Sequence, residues 1–288
     1  MATRPALAPA KVNLFLHVGP VDAAGYHPLV SLVAFADVGD RVTVQPADRL
    51  SLTVGGEFAA GLEGQGDNLI LRALRALGEA AGIGEPPLAV TLDKELPIAA
   101  GLGGGSSDAG AALRLARDVL RLDLDEDALA DIAAGIGADG PMCVYARSAW
   151  AEGRGERLTP EPRLPPLPAV LLNPGVASPT GEVYRAYDAG PAAAADRPAP
   201  PPAWDVATVI GWLAGRRNDL QAPAVLRSPA IAAALEAAGD LPDVRLVRMS
   251  GSGATVFALF ETPAAAVAAG ARLSESHPDW WIRPTNLG

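Results

Sequence analysis

Residues 101–111 read GLGGGSSDAGA, and four of the first five are glycine. A flexible linker also uses glycine and serine, but it does not lead straight into an amphipathic segment. From Ser106 onward Ala109, Ala112, Leu113, Ala116 and Leu120 fall on one helical face, with Arg114, Arg117 and Arg121 outside it. Ahead of the run, LAVTL at 88–92 alternates as a strand does and leads through Pro97 into the glycines. Strand, glycine loop and helix form one unit. A backbone without side chains can approach a ligand closely, and N–H groups entering a helix converge on one spot that attracts phosphate. Ser106 and Ser107 stand where they can cap the helix or bond a phosphate or a metal-bound water. A tight turn with no ligand is the alternative that the local residues leave open. The loop is not a Walker A motif, because GxxxxGK[ST] occurs nowhere, and no protein-kinase signature is present. GIGADG at 135–140 matches GxGxxG as a string, but it follows a helix pattern rather than a strand, which argues against a dinucleotide site.

The rest of the chain sets this unit in a mixed architecture. KVNLFLHV alternates Val12, Leu14, Leu16 and Val18, DRVTVQ and LSLTVG read as further strands, and DNLILRALRALGEAAG turns helical through Leu71, Leu74 and Leu77. A helix is predicted from about Asp125 to Ile136, with acidic residues in its first turn. The prolines of PEPRLPPLPAV mark a boundary between domains at 1–158 and 159–288. DAGPAAAADRPAPPPAW offers little that packs and is predicted to form an exposed, mobile loop carrying little chemistry. Helical patterns at VATVIGWLAG and IAAALEAAG precede two strands, VRLVRMS and ATVFALF, joined by a glycine turn. Mixed order without strict alternation predicts an α+β fold, and 288 residues with 49% hydrophobic content suit two domains of a globular protein. No internal repeat is visible.

Charge and cysteine content exclude several classes of partner. A net charge of −10 and a pI near 4.8 argue against nucleic acid or an anionic membrane, each of which needs a basic face. Cys143 is the one cysteine, which excludes an intramolecular disulfide and fits a reducing cytoplasm, with a small core hydrophobe as its expected role. No apolar run approaches membrane-spanning length, and Lys11, Asn13 and His17 interrupt the N-terminal stretch where a signal peptide is apolar. A cytoplasmic protein is expected.

Of 23 basic residues only Lys11 and Lys94 are lysine. Where arginine serves general surface charge, a retained lysine suggests a compact, movable ammonium, as at a phosphate or a hydroxyl under attack. Chance is the other explanation, and it is stronger for Lys94, which lies in a charged DKE. Asp139 stands in GADGP between small residues that leave its carboxylate reachable, although Asp and Gly also occur together in ordinary turns.

The motifs PAKVNLFLHV, GYHPL, GDNLI, LPIAAGLGGGSSDAG, GADGP, AEGRGE, NPGVASPT, NDL and MSGSGAT occur in that order from residue 9 to residue 255. Together they resemble the 4-diphosphocytidyl-2-C-methyl-D-erythritol kinases, which belong to the galactokinase, homoserine kinase, mevalonate kinase and phosphomevalonate kinase superfamily. The glycine loop alone points to the superfamily; GYHPL with the GLGGGSSDA form of the loop points to this family. The resemblance implies two α+β domains with ATP and substrate meeting in a cleft, and Mg²⁺-assisted transfer of the ATP γ-phosphoryl group to the 2-hydroxyl of the cytidine compound in the non-mevalonate route to isoprenoids. It implies that Asp139 accepts the hydroxyl proton and that Lys11 orients the hydroxyl and keeps the aspartate ionised. Gly101, Leu102, Gly103, Gly104, Gly105, Ser106 and Ser107 match the loop around the triphosphate, and Asn68, Lys94 and Pro97 fall on the nucleotide side, Asn68 and Lys94 near the adenine or its ribose. Tyr26 and His27 match the positions that hold the cytosine, and Tyr184 matches a second aromatic. Two rings can sandwich a base, and a neutral histidine offers one donor and one acceptor to a pyrimidine edge. Asn13, Thr180 and Ser252 match the substrate side, and the turn Gly251 to Thr255 matches a motif that closes the cleft. Three departures stand out. Gly140, Met142 and Cys143 replace larger residues behind Asp139, which predicts a looser base. Tyr184 replaces a frequent phenylalanine, and 189–203 has no counterpart, so its residues receive no role. The rival readings are a kinase of another small alcohol and a nucleotide-binding regulator without catalysis. No metal ligands and no oligomeric state are assigned.

Overall fold

A computed structural model describes residues 4–23, 25–62 and 68–288. Gly66 and Asp67 of the GDNLI motif lie outside the described residues. The chain forms two compact units that interleave in sequence. Unit 1 takes Met1–Lys11, Val38–Ile98 and Gly103–Ala146, and unit 2 takes Val12–Asp37, Ala99–Leu102 and Arg147–Gly288. This differs from a single cut near residue 158, because the first two strands are long enough to contribute to both units.

Unit 1 draws on β1 (Ala6–Val18), β2 (Leu29–Pro46), β3 (Ser51–Gly55), α1 (Leu69–Ala80), β4 (Leu88–Asp93), α2 (Gly104–Leu120), α3 (Glu126–Ala134) and α4 (Gly140–Tyr145). The second half of β2 runs antiparallel to β4, from Arg41 opposite Asp93 to Pro46 opposite Leu88, and β3 lies parallel on the other side of β4. Alternation sends Val42, Val44, Leu88, Val90 and Leu92 inward, where they meet Ile70, Leu74 and Leu77 of α1 and Ala109, Ala112, Leu113 and Ala116 of α2. Each such leucine or valine contributes roughly 1.5–3 kcal/mol on full burial. The small residues of α2 let α4 approach closely: a Cβ on Gly110 would sit 2.6 Å from the Cys143 carbonyl. Local sequence sets the helix starts, with Asn68 Oδ1 accepting from Ile70 N and Asp125 Oδ1 from Ala128 N. The second of these helices is shorter than the predicted 125–136, ending at Ala134.

Unit 2 adds β5 (Ala149–Gly153), β6 (Arg157–Pro160), β7 (Leu167–Asn173), α5 (Thr180–Asp188), α6 (Val206–Ala214), α7 (Gln221–Arg227), α8 (Pro229–Gly239), β8 (Leu246–Met249), β9 (Val256–Leu259), α9 (Pro263–Ser276) and β10 (Trp281–Leu287). β10, β7, β9 and β8 form an antiparallel sheet in that order, and the first half of β2 pairs with β5. Separate helical blocks beside largely antiparallel strands give the α+β class. The proline-rich stretch PEPRLPPLPAV runs into β7, whose seven residues are all buried. Arg248 is buried on β8 and donates to the carbonyls of Leu14, Leu213 and Arg216. No helix of the described residues is long and apolar enough to cross a membrane.

The Pro/Ala stretch is irregular, as predicted, but it is tied down at several points. Ala193 N donates to the Tyr187 hydroxyl, Arg217 to the Ala194 carbonyl and Trp212 Nε1 to the Ala199 carbonyl. The Arg197 guanidinium pairs with Glu152 and lies over the Trp150 ring. Its few polar groups and its backbone supply the anchors that apolar packing does not.

Candidate active site

In unit 1 the chemistry gathers beside the middle of β1 and at the starts of α2 and α4. Lys11 projects from β1, and Asp139 is the residue that caps α4 without a side-chain cap bond, which leaves its carboxylate for other partners. Asp139 Oδ2 lies 3.2 Å from Lys11 Nζ, with the lysine side chain 8% exposed and the aspartate 37%. Gly103 stands beside them. A Cβ there would come within 3.2 Å of Lys11 Cε and 3.8 Å of Asp139 Oδ2, and its φ of 63° is left-handed, so glycine is needed both for space and for conformation.

Gly103 also caps α2, so the helix begins at Gly104 and both serines lie inside its first turn. This corrects the expectation that a serine caps it. Ser107 is buried and directs its hydroxyl to Cys143 Sγ at 3.4 Å, while Ser106 is half-buried and Gly105 exposed. Asn68 uses its side chain to cap α1. Pro97 and Leu102 are buried.

Lys94 is not at the surface. Its ammonium lies 2.5 Å from Asp40 and 2.7 Å from Asp108, all three buried. Asp40 Oδ1 accepts from the backbone of Glu95 and Leu96, and a Cβ on Gly104 would come 3.0 Å from Lys94 Nζ. The expected approach to adenine or ribose is therefore replaced by an inward pin at the root of the glycine loop. Burial pulls the Lys94 ammonium down, but Asp108 and Asp40 more than offset it and its pKa is raised. Burial pushes Asp108 up to about 8 against the opposing pull of Lys94. Neither carboxylate was singled out from sequence, because their partners are distant along the chain.

Behind Asp139 the packing is close rather than loose. A Cβ on Gly140 would meet the Ala133 carbonyl at 2.2 Å, and Met142 and Cys143 are buried. Glycine is what lets α3 and α4 meet there. Burial pushes the Cys143 thiol up to about 12, which keeps it the core residue that its sequence suggested.

Unit 2 holds the other candidates. Asn13 donates from its backbone to Ser250 Oγ and from its side chain to Ser31 Oγ, and Ser250 Oγ donates to the Gly101 carbonyl. Thr180 Oγ1 and Ser252 Oγ are 2.9 Å apart, and Ser178 Oγ donates to the Ser252 carbonyl. Tyr26 is half-exposed, with the Arg154 guanidinium 3.5 Å from its ring centroid. The His27 ring lies against Tyr184, centroids 5.1 Å apart. Both His27 nitrogens are engaged within the protein, Nδ1 with the Gly19 carbonyl at 2.9 Å and Nε2 with Asp188 Oδ1 at 3.1 Å. This corrects the expectation of a ring with one donor and one acceptor to spare for a base.

Comparison with known proteins places these features. The GHMP kinases N terminal domain matches residues 68–147 and the GHMP kinases C terminal domain matches 209–279. A 4-diphosphocytidyl-2-C-methyl-D-erythritol kinase of Caulobacter sp. (strain K31) is 54% identical over 288 residues, covering 98% of each chain. The chain belongs to the 4-diphosphocytidyl-2-C-methyl-D-erythritol kinase family. A solved structure of a 4-(cytidine 5'-diphospho)-2C-methyl-D-erythritol kinase superposes with a TM-score of 0.78 at 36% identity, covering 99% of both chains. The homoserine kinase of Cytophaga hutchinsonii ATCC 33406 shares the fold, with a TM-score of 0.63 at 17% identity over 96% of this chain and 93% of that one. The chain is a kinase with the fold of this superfamily.

Proposed function

We propose that the chain transfers the γ-phosphoryl group of ATP to the 2-hydroxyl of 4-diphosphocytidyl-2-C-methyl-D-erythritol, in the non-mevalonate route to isoprenoid precursors. The observation that carries the chemistry is the Lys11–Asp139 pair, 3.2 Å apart beside Gly103. Asp139 takes the hydroxyl proton as the oxygen attacks, and Lys11 holds both the carboxylate and the developing alkoxide. The backbone N–H groups of Gly104, Gly105 and Ser106, at the open start of α2, face charge on the transferring group. Asn68, at the start of α1, and the Pro97–Leu102 segment complete the nucleotide side.

Mg²⁺ bound with the nucleotide would offset the negative charge of the phosphates and so ease attack on the γ-phosphoryl group. Among the described residues no group of three or more Asp, Glu, His or Cys side chains is gathered as a metal cage. One or two protein oxygens suffice for this ion when a nucleotide supplies the others, and here the Ser106 hydroxyl would supply one.

Tyr26 and Tyr184 supply aromatic surface for the cytosine, with His27 against the Tyr184 ring, and Asn13, Thr180 and Ser252 supply polar groups for the rest of the substrate. A kinase of a small alcohol has no use for such rings, and a non-catalytic regulator has no use for Asp139. The lone buried thiol supports a cytoplasmic setting. The test is ADP release by the purified chain with ATP and Mg²⁺, with and without the cytidine compound. Release that depends on it is expected; release that depends instead on homoserine or mevalonate would remove the proposed acceptor.

A further inference from the structure

One face of α5 is organised around His27. Tyr184, Tyr187 and Asp188 follow at spacings of three and four residues, and all three meet the imidazole. The ring is tilted 34° against Tyr184 and meets Tyr187 edge-on at 5.7 Å. Asp188 Oδ1 and the Gly19 carbonyl stand 3.1 and 2.9 Å from Nε2 and Nδ1, so each ring nitrogen faces a protein oxygen. The imidazole cannot turn without giving up one of them. Tyr187 is fixed in turn, because its hydroxyl donates to the Val18 carbonyl and accepts from Ala193 N. His27 thus has its edge committed to the protein and a face turned to Tyr184.

We propose that Asp188 is a positioning residue for nucleobase binding: it holds His27, and His27 holds the Tyr184 ring in the orientation on which a pyrimidine stacks. The inference rests on the reading that these rings take the cytosine, and it makes His27 a support rather than a reader of the base edge. The Asp188 side chain is 45% exposed, and a polar contact at such a site contributes little to global stability. Its loss therefore acts on recognition.

Steady-state kinetics of the full chain separate this from a structural role. Asp188→Asn and Asp188→Ala are expected to raise KM for 4-diphosphocytidyl-2-C-methyl-D-erythritol about five- to tenfold, with KM for ATP and kcat nearly unchanged. Asp188→Glu should recover most of the loss, and in a His27→Gln background Asp188→Asn should add nothing further. Equal increases in both KM values, or an unchanged substrate KM in Asp188→Ala, would overturn the inference while leaving the kinase reading intact. A wild-type chain that phosphorylates another alcohol and not the cytidine compound would remove the reading beneath it, and the inference with it.

Discussion

The two units hold buried cations by different means. In unit 1 Lys94 sits between two carboxylates, Asp40 and Asp108, at the root of the glycine loop. In unit 2 Arg248 donates to three backbone carbonyls, tying β1 to the segment around the end of α6. Carbonyls do not titrate, and although burial pulls the Arg248 guanidinium down to about 10 it stays charged at neutral pH. Lys94 instead offers one charge to two acids, so its surroundings respond as Asp108 titrates. The proposed roles divide similarly. Unit 1 brings together ionisable side chains and backbone N–H groups suited to moving a proton and a phosphoryl group, whereas unit 2 offers rings and hydroxyls held by hydrogen bonds and suited to recognition.

The largest effect that would break this division is on catalysis. Asp139→Asn should lower kcat about 10³-fold, within the range for loss of a general base, while substrate affinity measured by calorimetry persists. Turnover within tenfold of wild type would remove Asp139 from the role. Next comes Lys94→Met, which leaves two buried acids without a counter-charge and should cost about 3–5 kcal/mol in urea unfolding. That cost should be greater at pH 8 than at pH 5, whereas the cost of Arg248→Met should be the same at both. A pH-independent Lys94→Met would erase the contrast between the two cations. Tyr184→Ala should raise KM for the cytidine substrate about tenfold or more, as expected for a lost base-stacking ring, and leave KM for ATP unaltered. Equal changes would take Tyr184 out of recognition.

The last effect is read as a trend with pH and concerns Asp108. Burial pushes its pKa from 3.8 up to about 8 in the folded chain. Stability from a group raised in this way is full below its unfolded pKa and is lost as pH rises through the folded value. Wild type should therefore lose stability between about pH 4 and pH 8 in a way that Asp108→Asn does not. The gap in melting temperature, variant over wild type, should widen from pH 5 to pH 8; a constant gap would show that Asp108 does not titrate in that window.

Local features were the legible ones. The strand at 88–93, the glycine loop and α2 follow from periodicity and from the needs of a backbone without side chains. The start of α2 was misplaced by two residues because the left-handed turn at Gly103, not a serine, forms the cap. The Lys11–Asp139 pair came from the family resemblance, since nothing in either local stretch points to the other. Asp40 escaped notice because one carboxylate in a strand pattern reads as a solvated residue; only the fold brings Lys94 to it. Asp188 opens a stretch whose composition promised nothing, and its value lies in helical spacing from Tyr184 that becomes visible only once His27 is placed against both.

The most direct measurement is a phosphorus NMR spectrum of the product formed by the purified chain from ATP, Mg²⁺ and 4-diphosphocytidyl-2-C-methyl-D-erythritol. The account expects one new phosphomonoester on the 2-hydroxyl with the cytidine diphosphate linkage intact, and no such signal from Asp139→Asn. Free phosphate alone, or a phosphomonoester on a different hydroxyl, would contradict it.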